Sequence, residues 1–118
     1  MILTASIKVC LATRPCDLRK SFDTLCVVVR EELREDPLSR KVFVFLNRHG
    51  DRVKLLYWDG TGIWILAKRL KKGRFCRPLP LTDGEFKLTL KPEALEMLLS
   101  GIDLKHSMQR AWYELPDQ

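Results

Sequence analysis

Three features of the sequence predict an α+β fold, an antiparallel β-meander sheet of about four to five strands with two packed helices. The hydrophobic period is two at residues 6–11 and between three and four at 18–35. Three apolar runs inside 42–78 are separated by glycine-containing turns too short for parallel crossovers. A second helical stripe begins at Pro92. With 118 residues, 46% apolar and 31% charged, the chain is expected to form one soluble domain over 1–118. Its core would lie at about 6–103, with a tail at 104–118.

In the first strand Ile7, Val9 and Leu11 share one face, and Pro15 stops the pairing. Leu18, Phe22, Leu25, Val29 and Leu33 form the apolar stripe of a helix over 18–35. Asp17 is placed to cap its first turn, and Asp36-Pro37 ends it. Its charges, Arg19, Lys20, Arg30 and Arg34 against Asp23, Glu31, Glu32 and Glu35, describe a solvated face.

Residues 42–46, Val-Phe-Val-Phe-Leu, are apolar throughout, as a strand covered on both sides requires. Asn47 to Asp51 forms a turn with Gly50 available for positive φ. In the next strand Val53, Leu55 and Tyr57 face opposite to Arg52, Lys54, Leu56 and Trp58. Asp59-Gly60-Thr61-Gly62 is a hairpin turn. In the third run Ile63, Ile65 and Ala67 oppose Trp64, Leu66 and Lys68. A short strand at 85–90 follows the Pro78-Leu79-Pro80 connection. Leu95, Leu98, Leu99 and Ile102 then line a helix with Gly101 as its C-cap, and Trp112 and Tyr113 would dock the tail.

The chemistry available is limited. Cys10, Cys16, Cys26 and Cys76 lack the C-x-x-C spacing of a zinc site and read as free thiols of a reducing compartment. No apolar run approaches the roughly 20 residues of a membrane span, and Lys8 interrupts the start of the chain, so a cytoplasmic location is expected. His49 and His106 have no activating neighbour, and no phosphate or dinucleotide fingerprint occurs. Asp51 and Asp59 flank one strand beside glycines, where Asp favours turns over metal binding. No catalytic residue, metal or cofactor is assigned.

Charge is the informative signal. Residues 40–77 hold eleven Lys and Arg against two acids, a net +9 within a chain of +6. Phosphate binding needs cations spaced along a surface. Arg48, Arg52, Lys54, Lys68, Arg69, Lys71, Lys72, Arg74 and Arg77 are therefore the candidate nucleic-acid contacts. Trp58, Trp64 and Phe75 are candidates for base stacking or partner docking.

These motifs resemble a known family. Residues 17–25, DLRKSFDTL, are similar to its D-M-R-K-G-F-D-G-L signature. Residues 42–60, VFVFLNRHGDRVKLLYWDG, are similar to its F-V-F-x-N-R-R-G-D-R-I-K-L-L-Y-W-D-G block, and LLSGID at 98–103 to its closing L-L-E-G-I-D. Ser21 stands where Gly is usual and Arg77 where Trp is frequent. The chain thus resembles the TnpB, or second-open-reading-frame, proteins of insertion sequences of the IS-sixty-six type. The resemblance implies a non-enzymatic accessory protein of transposition, working with a larger transposase that carries the strand-transfer acids. DNA at the element ends and that transposase are the expected partners. The alternatives are a module that docks the transposase or self-associates as a homo-oligomer, and a small metal-dependent nuclease using Asp51, Asp59 and His49.

Overall fold

The computed structural model describes residues 7–19, 21–77 and 86–101. Lys20, the 78–80 connection, Glu85, Ile102, His106, Trp112 and Tyr113 lie outside the described residues. The elements are β1 (Val9–Ala12), α1 (Phe22–Glu31), β2 (Val42–Leu46), β3 (Arg52–Trp58), β4 (Ile63–Arg69), β5 (Lys87–Leu90) and α2 (Pro92–Leu99).

The five strands form one sheet in the order β4-β3-β2-β1-β5. It is mixed rather than wholly antiparallel. Pairs β2–β3, β3–β4 and β1–β5 run antiparallel, but β1 and β2 run parallel, with Val9 opposite Val42 and Leu11 opposite Val44. The long connection through α1 returns the chain to the starting end of the sheet, which a short turn cannot do.

Register sorts the side chains into two cores. Cys10, Phe43, Phe45 and Leu56 face α1, which buries Leu25, Cys26, Val28 and Val29 against them. Val9, Leu11, Val42, Val44, Leu46, Val53, Leu55, Leu88 and Leu90 face α2, which contributes Ala94, Leu95 and Leu98. Strand β2 is buried at every residue because it has a strand on each side and a helix over each face. Burial raises the Cys10 thiol to about 11, so it stays protonated.

Helix α1 is shorter than its apolar stripe predicts. Ser21 is its N-cap, and Phe22 is exposed. Asp17 does not cap it; its Oδ1 accepts Arg19 N–H at 3.0 Å in a local turn, and both carboxylate oxygens take up the Arg19 guanidinium. The helix stops before Pro37 because the chain turns at Arg34, φ +55°. Gly101, φ +80°, follows α2 as expected of a helix terminus.

Glu35, just past α1, joins three parts of the fold. Its Oε1 accepts from Lys41 Nζ at 2.7 Å, ahead of β2, and its Oε2 accepts from Lys87 Nζ on β5. Burial opposes the charge, yet the two lysine hydrogen bonds outweigh it and hold the carboxyl below its ordinary 4.5. A depressed carboxyl contributes stability that is complete above the unfolded value and lost as pH falls through the folded one. Glu35→Gln is therefore expected to cost about 1 kcal/mol at neutral pH, a value reduced by the partial exposure of both lysines. Denaturant melts should show the gap between variant and parent closing as pH drops below the ordinary carboxylate range.

Candidate nucleic-acid interface

The β2–β3 turn organises one end of the sheet. Asn47 Nδ2 donates to Asp51 Oδ1 at 2.7 Å, its Oδ1 accepts Arg52 N–H at 3.1 Å, and its carbonyl accepts Gly50 N–H at 3.1 Å. Gly50 sits at φ +75°, where a side chain would be strained. Two backbone bonds fold the segment after β4 onto this turn. Leu70 N–H donates to the Asp51 carbonyl at 2.8 Å, and Phe75 N–H to the Gly50 carbonyl at 2.7 Å.

This closure gathers cations from separate parts of the chain. Arg52 and Arg69 are register partners on the α1 side of the sheet. The Leu70–Asp51 bond makes the Arg52/Arg69 pair the close, non-hydrogen-bonded kind, with Cα atoms about 4.5 Å apart. Arg48 lies in the adjoining turn, and Lys71, Lys72 and Arg74 in the segment folded against it. All six are exposed and form no ion pair among the described residues. Lys54 follows one alternation inward on the same face as Arg52, half-buried. Asp51 is the local counter-charge, held below its ordinary value first by the Asn47 hydrogen bond and further by Arg52 and Arg69.

Two predicted contacts also bind backbone carbonyls. Lys68 points to the α2 side and donates Nζ to the Leu99 carbonyl at 2.7 Å, satisfying a group at the end of α2. Arg77 is half-buried and turned inward, donating to the carbonyls of Asn47 at 2.8 Å and Thr13 at 3.3 Å. It pins the end of the basic segment to the sheet.

Arg19 is an addition that sequence reasoning missed, because it assigned this residue to a solvated helix face. It lies in the β1–α1 connection, which Cys16 N–H ties to the Leu46 carbonyl at 2.9 Å. A cleft of about 450 Å³ runs between that connection and the β2–β3 turn, with Pro15, Leu18 and Arg19 on one side and Arg48, His49 and Arg52 on the other. The two longest motifs of the sequence thus meet in space. Only their separate signatures, not their convergence, are visible in the chain order.

The aromatic candidates separate from the cations. Phe75 is 4% exposed and belongs to the core under α2, so it cannot stack on a base. Trp64 is 52% exposed but lies on the α2 side, toward the opposite end of β4 from Arg69, about 17 Å along the strand. Its Nε1 donates to Asp59 Oδ2 at 2.8 Å. Trp58, half-buried, sits at the far end of β3 from Arg52.

Asp59 is a turn residue. Its Oδ1 accepts from Thr61 N–H at 2.8 Å, Thr61 Oγ1 at 2.9 Å and Gly62 N–H at 2.9 Å. The Thr61 N–H above all, then the indole and the other donors, holds the carboxyl far below the usual carboxylate range. Asp51 and Asp59 bracket β3, more than about 20 Å apart, and so cannot share a metal pair. Among the described residues no three His, Cys, Asp or Glu side chains group as metal ligands, and no helix is long and apolar enough to cross a membrane.

A family model described as IS66 Orf2 like protein (TnpB_IS66) matches residues 7–109. Two proteins of Sinorhizobium fredii (strain NBRC 101917 / NGR234) are similar along most of their length. The uncharacterized protein y4hO is 37% identical over 107 residues, 91% of this chain and 90% of its own. The uncharacterized protein y4jC is 35% identical over 97 residues, 82% of this chain and 80% of its own. No solved structure matches significantly. The chain belongs to the IS66 Orf2-like family.

The division between Phe75 and Trp64 is directly measurable. Phe75→Ala should lower unfolding free energy by roughly 3–4 kcal/mol, as removal of a buried ring does, whereas Trp64→Ala should cost under about 1 kcal/mol. Urea melts of both variants check this ordering.

Proposed function

We propose that this IS66 Orf2-like protein is a non-enzymatic accessory factor of transposition that grips DNA at the element ends through the cationic end of its sheet. One observation carries the reading: Arg52 and Arg69 are directly paired across β3 and β4, with Arg48 in the adjoining turn and Lys71, Lys72 and Arg74 in the segment bonded onto it. Like charges set opposite each other across a ladder destabilise a sheet. A polyanion removes that cost, since each phosphate neutralised also releases condensed counterions. Family membership supports the setting, a mobile element whose larger transposase supplies the strand-transfer chemistry. Arg19 and Lys54 extend the contact along the α1 face. Lys68 and Arg77 support it from behind by holding backbone carbonyls.

Reversal of Lys71, Lys72 and Arg74 together to Glu is expected to abolish binding to a terminal inverted-repeat duplex, and parent-like affinity in that variant would refute the reading. For the parent, log affinity should fall linearly with log salt, with a slope near 0.9 per phosphate contacted. The duplex should remain uncut with Mg²⁺ or Mn²⁺.

Arg69→Gln provides a second check. Removing half of the like-charge pair should leave thermal stability equal or raise it by a few tenths of a kcal/mol, while affinity drops and the salt slope becomes shallower by about one contact. A structural arginine would lose stability instead.

A further inference from the structure

Strand β4 is an edge of the sheet, and the only one of the usual protections it carries is a pair of cations at its end. It has seven residues, pairs with β3 without a bulge, contains no proline, and confines its charges to Lys68 and Arg69. Trp64 and Leu66 are 52% and 40% exposed on its α2 side. Hydrogen bonds at the two ends of the β3–β4 ladder establish its phase. Asp59 N–H donates to the Gly62 carbonyl at 3.1 Å and Leu70 N–H to the Asp51 carbonyl at 2.8 Å. Alternation then turns the backbone groups of Trp64, Leu66 and Lys68 toward β3, and those of Ile63, Ile65, Ala67 and Arg69 outward. Among the described residues nothing hydrogen-bonds to that outer row.

We infer that the outer edge of β4 pairs antiparallel with β4 of a second copy, about a two-fold axis at Leu66. This register uses all four outward residues, with Ile63 hydrogen-bonded opposite the partner's Arg69 and Ile65 opposite the partner's Ala67. Leu66 meets the partner's Leu66, and Trp64 meets the partner's Lys68, both as close non-hydrogen-bonded pairs.

Charge selects this arrangement. The cations occupy one end of the strand and the apolar residues the other, so antiparallel pairing opposes each cation to an apolar or aromatic side chain. Parallel pairing would set Lys68 on Lys68. With Lys68 Nζ already held by the Leu99 carbonyl, its methylene stem covers the partner's indole. Beyond the strand ends the same register lays the Asp59–Gly62 hairpin alongside the partner's Lys71 and Lys72. The axis is perpendicular to the sheet, so both Arg52/Arg69 pairs lie on the same side of the joined sheet, about 20 Å apart along the strands. The pairing stands independently of DNA binding.

Light scattering on the eluting full chain across the micromolar range should give twice 13.8 kDa. Leu66→Lys, an exposed substitution that creates a like-charge pair at the axis, should halve that mass with an unchanged circular dichroism spectrum. Under mild oxidation Leu66→Cys should form a symmetric disulfide, because the close pair's Cα spacing of about 4.5 Å permits one. Ala67→Cys, opposite Ile65, should not cross-link. A monomeric parent, a Leu66→Lys protein that remains dimeric, or equal cross-linking at 66 and 67 would each overturn the proposal.

Discussion

The arrangement of charge in this protein depends on one turn. Asn47 uses its amide, its side-chain oxygen and its carbonyl to hold Asp51, Arg52, Gly50 and Arg77. The backbone it shapes then offers the Asp51 and Gly50 carbonyls to Leu70 and Phe75. Without those two bonds the basic stretch after β4 would be a solvated loop. With them it becomes the rim of a surface that already holds Arg48, Arg52 and Arg69. The buried Phe75 and the inward Arg77 anchor that rim from both the apolar and the polar side.

Much of the fold was legible in the chain. The fully apolar 42–46 run identified the central strand, and the alternations of 52–58 and 63–69 assigned each side chain to its observed face. Strand direction was not legible between β1 and β2. The turn argument holds for neighbours joined by a few residues and says nothing of a connection that contains a helix. The length of α1 also escaped, because Leu18 and Leu33 are buried like helical residues although the backbone around them is not helical. Apolar spacing records burial, and burial alone does not require a hydrogen-bonded helix.

The candidate site was half legible for a related reason. Net charge along the chain located the segment, but sequence order does not say which cations face water. Lys68 and Arg77 hold carbonyls about 30 positions away, and Phe75 is buried in a core drawn from several strands and α2. Arg19 arrives from a part of the sequence that balances its own charges. What remains is a compact group of exposed arginines and lysines, assembled by long-range backbone contacts that local patterns do not encode.

The parallel placement of β1 has a consequence for how the chain acquires its shape during synthesis. Residues 9–12 lie between β2 and β5, so one flank of an early strand waits for residues 87–90, nearly the last described. The layer beneath α1 can consolidate once about half of the polypeptide has left the ribosome. The opposite layer stays wet until β5 and α2 emerge, because both supply its lid. Long-separation pairing of this kind is slow and leaves greasy surface open meanwhile. Vectorial folding of this protein therefore proceeds one layer at a time, and a nascent chain halted before β5 would display an unsealed strand beside an uncovered face.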